Sequence, residues 1–205
     1  MMDDYLISLL ILIPLTAATF VLIAPSKWSG SYRLLALAAS LLQLLVLFRV
    51  LQVYQPAVDG IQLLEAKPWI TLTLGDWGTL QAEYLVGLDG LSVPLVALAV
   101  VVMSIAVVSS WKVTQQSRGY FVLLLILNAS VIGSFAALDM LLFYLFFEFM
   151  LLPMYFLIGI WGGPRREYAS IKFFLYTLLG SILILIVIIG LYLSSGVQTD
   201  GTVLH

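Results

Sequence analysis

LLFYLFFEFMLLPMYFLIGIWGGPRREYASIKFFLYTLLGS, residues 141–181, decides how this chain is read. It contains two apolar runs separated by a short polar break, GGPRRE at 162–167, and the first run carries a single carboxylate, Glu148, near its middle. An apolar stretch of about 20 residues is long enough to cross a bilayer as a helix, so the segment reads as one crossing, a tight turn and a return. The rest of the chain agrees. Of its 205 residues, 62% are hydrophobic and 10% charged, with a mean hydropathy of +1.12, whereas a soluble domain is about one quarter charged. The composition predicts an all-α polytopic membrane protein without a separate soluble domain.

Six apolar stretches of spanning length are predicted, at about 5–24, 32–54, 91–111, 119–137, 140–161 and 168–193, within a single membrane domain covering 1–205. The chain opens MMDDYLISLL, with two acids where a secretory signal carries bases, so the first stretch reads as a retained span. The long connection after the second span contains WITLTLGDWGTLQAEYLV. There Ile70, Leu72 and Leu74 alternate with Thr71 and Thr73, glycines punctuate 75–78, and Leu80, Ala82 and Tyr84 alternate again, which predicts a short β-hairpin on the outer surface. If the spans alternate, Lys27, Arg33, Lys112, Arg118, Arg165, Arg166 and Lys172 fall on one side with Glu167. Asp3, Asp4, Asp59, Glu65, Asp76, Glu83, Asp89, Asp139 and Asp200 fall on the other, with Arg49 and Lys67. The positive-inside rule then places the N-terminus outside the cytoplasm.

Cysteine is absent, the single histidine is His205, and no cluster has metal-ligand spacing, so the chain offers no thiolate metal or iron–sulfur site. It lacks a phosphate loop, a nucleophile elbow and a dinucleotide fingerprint. What stands out is the buried acid. Glu148 lies about 14 Å from the outer end of its span, near the bilayer centre. A charge there costs roughly 2.5–3.5 kcal/mol on insertion scales, and such residues usually face a bundle interior and mark ion or proton paths. The plainer alternative is a protonated acid whose hydrogen bond only ties two helices together. Tyr144 and Tyr155, four residues before and seven after, share its helical face. Pro153 cannot donate to the carbonyl of Phe149, which leaves an acceptor near the carboxylate or merely a kink. Lys172 sits about 8 Å into its span and Glu148 about 20 Å from the same side, too far apart for a direct salt bridge. Snorkelling to the surface is the favoured reading of Lys172, and an entry route completed by water is the other. Asn128, Ser130 and Ser134 are suited to tying helices together.

FFEFMLLPMYFLIGIWGGPRREYASIKFFLYTLLGS, together with GLDGLS at 87–92, closely resembles the chain M (subunit 4) family of proton-pumping NADH:quinone oxidoreductase, respiratory complex I. Broader relatives are the antiporter-like subunits of Mrp-type Na+/H+ antiporters. The resemblance implies that Glu148 corresponds to the family's fifth-span glutamate, whose lysine partner lies on the seventh span. It also implies about fourteen spans in a complete member, so this sequence is expected to be the N-terminal portion of a longer subunit. The implied function is proton translocation, coupled to electron transfer elsewhere in the complex through a buried Glu/Lys/water path. No cofactor is expected in this chain: NADH, FMN, iron–sulfur clusters and quinone would belong to other subunits. The expected partners are other membrane-arm subunits and the lipid bilayer, with protons or Na+ moved and no nucleic acid. The expected location is an energy-transducing membrane, the bacterial inner membrane. The rivals are a subunit of an Mrp-type antiporter or membrane-bound hydrogenase, and a non-transporting scaffold fragment.

Overall fold

In lipid every backbone N–H and C=O must be paired within the protein, which favours uninterrupted helices for apolar runs of this length. A computed structural model, describing residues 5–24, 31–58, 60–73 and 79–194, contains six such helices. They are α1 Leu6–Ile23, α2 Ser31–Val53, α3 Ser92–Ser109, α4 Ser117–Ala136, α5 Met140–Trp161 and α6 Arg166–Ser194, and a short 3-10 turn, Ser110–Lys112, continues α3. Each coincides with a predicted span. Between α2 and α3 lies an antiparallel pair, β1 Gln62–Thr73 and β2 Thr79–Leu88.

Helices α1 to α4 form a ring in which each touches the next and α4 closes back on α1; α5 packs on α4, and α6 on α5. Burial follows this order, with 61% of the apolar window of α4 covered and only 6% of that of α6. Close approach of α4 and α5 depends on Gly133, where an added Cβ would run into the ring of Phe146. Two apolar clusters fill the ring. One joins Leu10, Val50, Val100 and Ile132 to Val86 and Leu88 of the hairpin, and the other centres on Phe121, Val21 and Tyr32.

The hairpin is longer than the predicted alternation and is built into the bundle. Leu138 N–H donates to Leu85 O at 2.9 Å, Val86 bridges Ala137, and Val86 and Leu88 are buried. The turn expected at 75–78 lies outside the described residues, as do Lys27, Asp3, Asp4, Asp59, Asp76, Asp200 and His205. Near the base of the hairpin the register shifts between Gln62, opposite Leu88, and Glu65, opposite Val86, and Leu63 adopts a left-handed φ of 53°. Directly opposed residues share a face of an antiparallel pair. The one extra residue in β1 therefore puts Glu65, not Leu64, beside the buried Val86.

Charge is segregated between the two ends. At one end Arg33 donates to Val113 O at 2.9 Å, Trp161 Nε1 to Gln115 O at 2.8 Å and Arg166 to Ile160 O at 2.7 Å. At the other end the acids satisfy exposed helix amides, which lack partners in the first turn. Asp139 accepts from Leu141 and Leu142 at the start of α5, and Asp89 from Leu91 and Ser92 at the start of α3. These bonds hold the Asp89 carboxyl below the usual aspartate range, chiefly the one from the Ser92 N–H.

Candidate functional site

The Glu148 side chain is half-buried and points to α6, where Ser181 Oγ donates to its Oε1. Ser181 is 1% exposed. The Tyr144 hydroxyl, one turn earlier on α5, is 3.4 Å from the same Oγ and within hydrogen-bonding reach of the carboxylate. Three oxygens thus converge at mid-span between α5 and α6. The seam around them is regular: Tyr155 packs on Phe174 with ring centroids 5.3 Å apart, and a Cβ on Gly159 would sit 3.3 Å from Ser170 Oγ. Each step along α5 is matched by an equal step back along α6, as expected for an antiparallel pair. Pro153 is buried within α5, which continues through it.

Lys172 lies elsewhere. It is exposed, and its Nζ sits 5.6 Å from the ring centroid of Tyr168 and 5.9 Å from that of Tyr176. At about 100° per residue, the nine positions from Lys172 to Ser181 turn it roughly 180° from the seam and shift it about 13 Å along the axis. The structure therefore joins Glu148 with Tyr144, places Tyr155 further along the same seam, and keeps Lys172 on the far face of α6. Ser181 escaped the sequence reading. Its signal was the spacing of Ser170, Thr177 and Ser181, which recur on one side of α6 half a turn from Lys172.

A second polar chain crosses the α1–α4 ring. Pro14 has no N–H to give the carbonyl of Leu10, and the buried Gln43 supplies its Nε2 instead, at 2.8 Å. Asn128 Nδ2 in turn donates to Gln43 Oε1 at 2.6 Å. Ser130 and Ser134 donate to carbonyls one turn back on α4, Ile126 O and Ser130 O, both at 2.9 Å. Among the described residues no group of three or more His, Cys, Asp or Glu side chains that could hold a metal ion comes together.

With this geometry in hand, residues 137–203 match the family described as "NADH:quinone oxidoreductase/Mrp antiporter, TM", a range that takes in Glu148, Ser181 and Lys172. Over 196 residues the chain is 39% identical to NADH-quinone oxidoreductase subunit M of Rhodobacter capsulatus, covering 93% of this chain and 36% of that protein. The chain is thus similar to the NADH:quinone oxidoreductase/Mrp antiporter family over residues 137–203, and to a subunit M over nearly its whole length. Another relative, NAD(P)H-quinone oxidoreductase chain 4 2 of Thermosynechococcus vestitus, is 37% identical over 191 residues, 93% of this chain and 34% of that one. The chain thus spans about a third of the length of these curated relatives. Its fold is shared with a chain in the membrane-bound sulfane sulfur reductase, an archaeal respiratory membrane complex, at a TM-score of 0.69 and 23% identity over 92% of this chain and 28% of that one.

Proposed function

We propose that this antiporter-like chain is part of a proton-translocating subunit in the membrane arm of an NADH:quinone oxidoreductase, with Glu148 as a proton-carrying group. The observation that carries the reading is a carboxyl at the middle of an apolar helix that meets hydroxyls of Ser181 and Tyr144. Hydroxyl neighbours at that depth can serve the carboxyl in its protonated and its ionised form alike, as a proton carrier requires. Tyr155 continues the same seam, and Lys172 serves the basic surface rather than Glu148. A lysine that answers Glu148 would come from a further span of a longer subunit. Charge or conformational changes in neighbouring subunits would then alter the Glu148–lysine attraction, and with it the lysine's affinity for a proton. The chemistry of NADH, FMN, iron–sulfur clusters and quinone would be carried by other subunits. The basic end, Arg33, Arg118, Arg165 and Arg166, would face the cytoplasm of a bacterial inner membrane, leaving the hairpin outside.

A second reading has its own support, because the matched family description also covers Mrp antiporters: the chain would serve a Na+/H+ antiporter or a membrane-bound hydrogenase. Purification separates the two, since only the first brings an NADH-oxidising peripheral arm with it. The direct test replaces Glu148 by Gln in the whole complex. Proton uptake coupled to NADH oxidation should fall at least tenfold with assembly intact, and normal pumping by the assembled variant would remove the role given to this carboxylate.

A further inference from the structure

We propose that Ser181 is a positioning residue for Glu148: its hydroxyl holds the carboxylate in the α5–α6 seam. This rests on the reading of Glu148 as a proton carrier and extends it to a side chain on a different helix. Ser181 is buried, donates to Glu148 Oε1, and lies 3.4 Å from the hydroxyl of Tyr144. A serine hydroxyl has one proton to donate and two lone pairs. Most buried hydroxyls on these helices, such as Ser40 and Ser130, return that proton to a carbonyl one turn back on their own helix. Ser181 spends it across the helix interface on a carboxylate oxygen. A hydroxyl that donates to one oxygen fixes where the carboxylate points.

The other groups facing this carboxylate leave Ser181 a distinct role. On α5, Tyr144 is the neighbouring titratable group. On α4, Asn128 turns to Gln43 and Ser130 and Ser134 bond their own helix, and none of the three carries charge. On α6, Lys172 is half a turn away and about 13 Å along the axis, and Arg166 and Glu167 at the helix start lie further still. Strand β2, with Glu83 and Tyr84, meets the bundle near Leu138, and Asp139 caps the start of α5; both lie about 13 Å or more from Glu148 along the helix.

The test follows the carboxylic-acid infrared band of Glu148 in the intact complex, with the band assigned by its loss in Glu148→Gln. Losing a donor moves such a band to higher frequency, so Ser181→Ala should show that displacement, and Ser181→Thr, which keeps the hydroxyl, should reverse it. An unmoved band in Ser181→Ala overturns the proposal. If the alanine variant fails to assemble, Ser181→Cys, whose thiol is a weak donor, must show the same upward displacement, and an unmoved band there overturns it equally. The band reports the hydrogen bond whether or not the complex pumps. A Glu148→Gln variant that pumps normally therefore defeats the proton-carrier reading, whereas an unmoved Ser181→Ala band defeats only the part given to Ser181.

Discussion

Glu65 completes the first turn of α1 from 58 residues away: its Oε1 accepts from the N–H of Ile7 at 2.9 Å. The same oxygen accepts from Ser8 N–H at 3.1 Å, Ser8 Oγ donates to Oε2, and Tyr84 OH lies 2.8 Å from that hydroxyl. Tyr5, at the position where a capping side chain would normally sit, makes no such bond. Negative charge at a helix N-terminus is favourable in any case. Removing it should expose both amides. Glu65→Ala is expected to destabilise the junction by about 1–3 kcal/mol, while Glu65→Gln, which keeps one acceptor oxygen, should cost less. Hydrogen exchange at Ile7 and Ser8 reads the effect directly, and unchanged protection in the alanine variant would refute the assignment.

Acid should loosen the start of α3. The folded carboxyl of Asp89 is held below its ordinary range by hydrogen bonds from Ser92 and Leu91. Its contribution to stability is therefore present in full above the unfolded aspartate value, near 4, and fades as pH falls through the lower folded value. Asp89→Ala should lack this contribution at neutral pH and show no further acid loss from this site. Comparing exchange at Leu91 and Ser92 in the two proteins from pH 7 to pH 3 decides it.

Pro14 and Gln43 are expected to be coupled. Gln43→Leu leaves the Leu10 carbonyl without its donor and should cost about 0.6–1.7 kcal/mol, the range for interhelical hydrogen bonds in membranes. Pro14→Ala restores a backbone N–H to that carbonyl. In the Pro14→Ala background the cost of Gln43→Leu should therefore shrink. Denaturation of the four proteins in a double-mutant cycle measures the difference, and strict additivity would speak against the link.

Gly133 should resist enlargement for a geometric reason. An alanine there meets the ring of Phe146 in the α4–α5 contact, and overpacking of this kind typically costs about 1–3 kcal/mol. Phe146→Leu should relieve most of the penalty. A Gly133→Ala protein as stable as the parent would mean that the two helices separate without cost.

Much of the architecture was legible because apolar length alone dictates helices in lipid. Asp139 could even be read as a boundary, since an acid before an apolar run both ends the previous span and caps the next. Glu148 was legible for the opposite reason: a carboxylate that deep is costly wherever the chain goes. What could not be read were the relationships between helices. Nothing near Leu63 announces a left-handed leucine, so the register shift that turns Glu65 inward is invisible before β1 and β2 pair. Ser181 was one hydroxyl among several until α6 was set against α5, and depth alone already separated Lys172 from Glu148, although its half-turn rotation from the seam could not be read. Gln43 had no local sign of importance, because its partner is a carbonyl released by a proline on another helix.

The capping of α1 by Glu65 also imposes an order on synthesis. While the first span enters the membrane, the residue that completes its end has not yet been made, and it reaches the correct face only after the second span has carried the chain back across. Until then the amides of Ile7 and Ser8 must be served by water or lipid headgroups. Helix α1 is thus translated before α2 and β1, yet its end is secured only after both have been made.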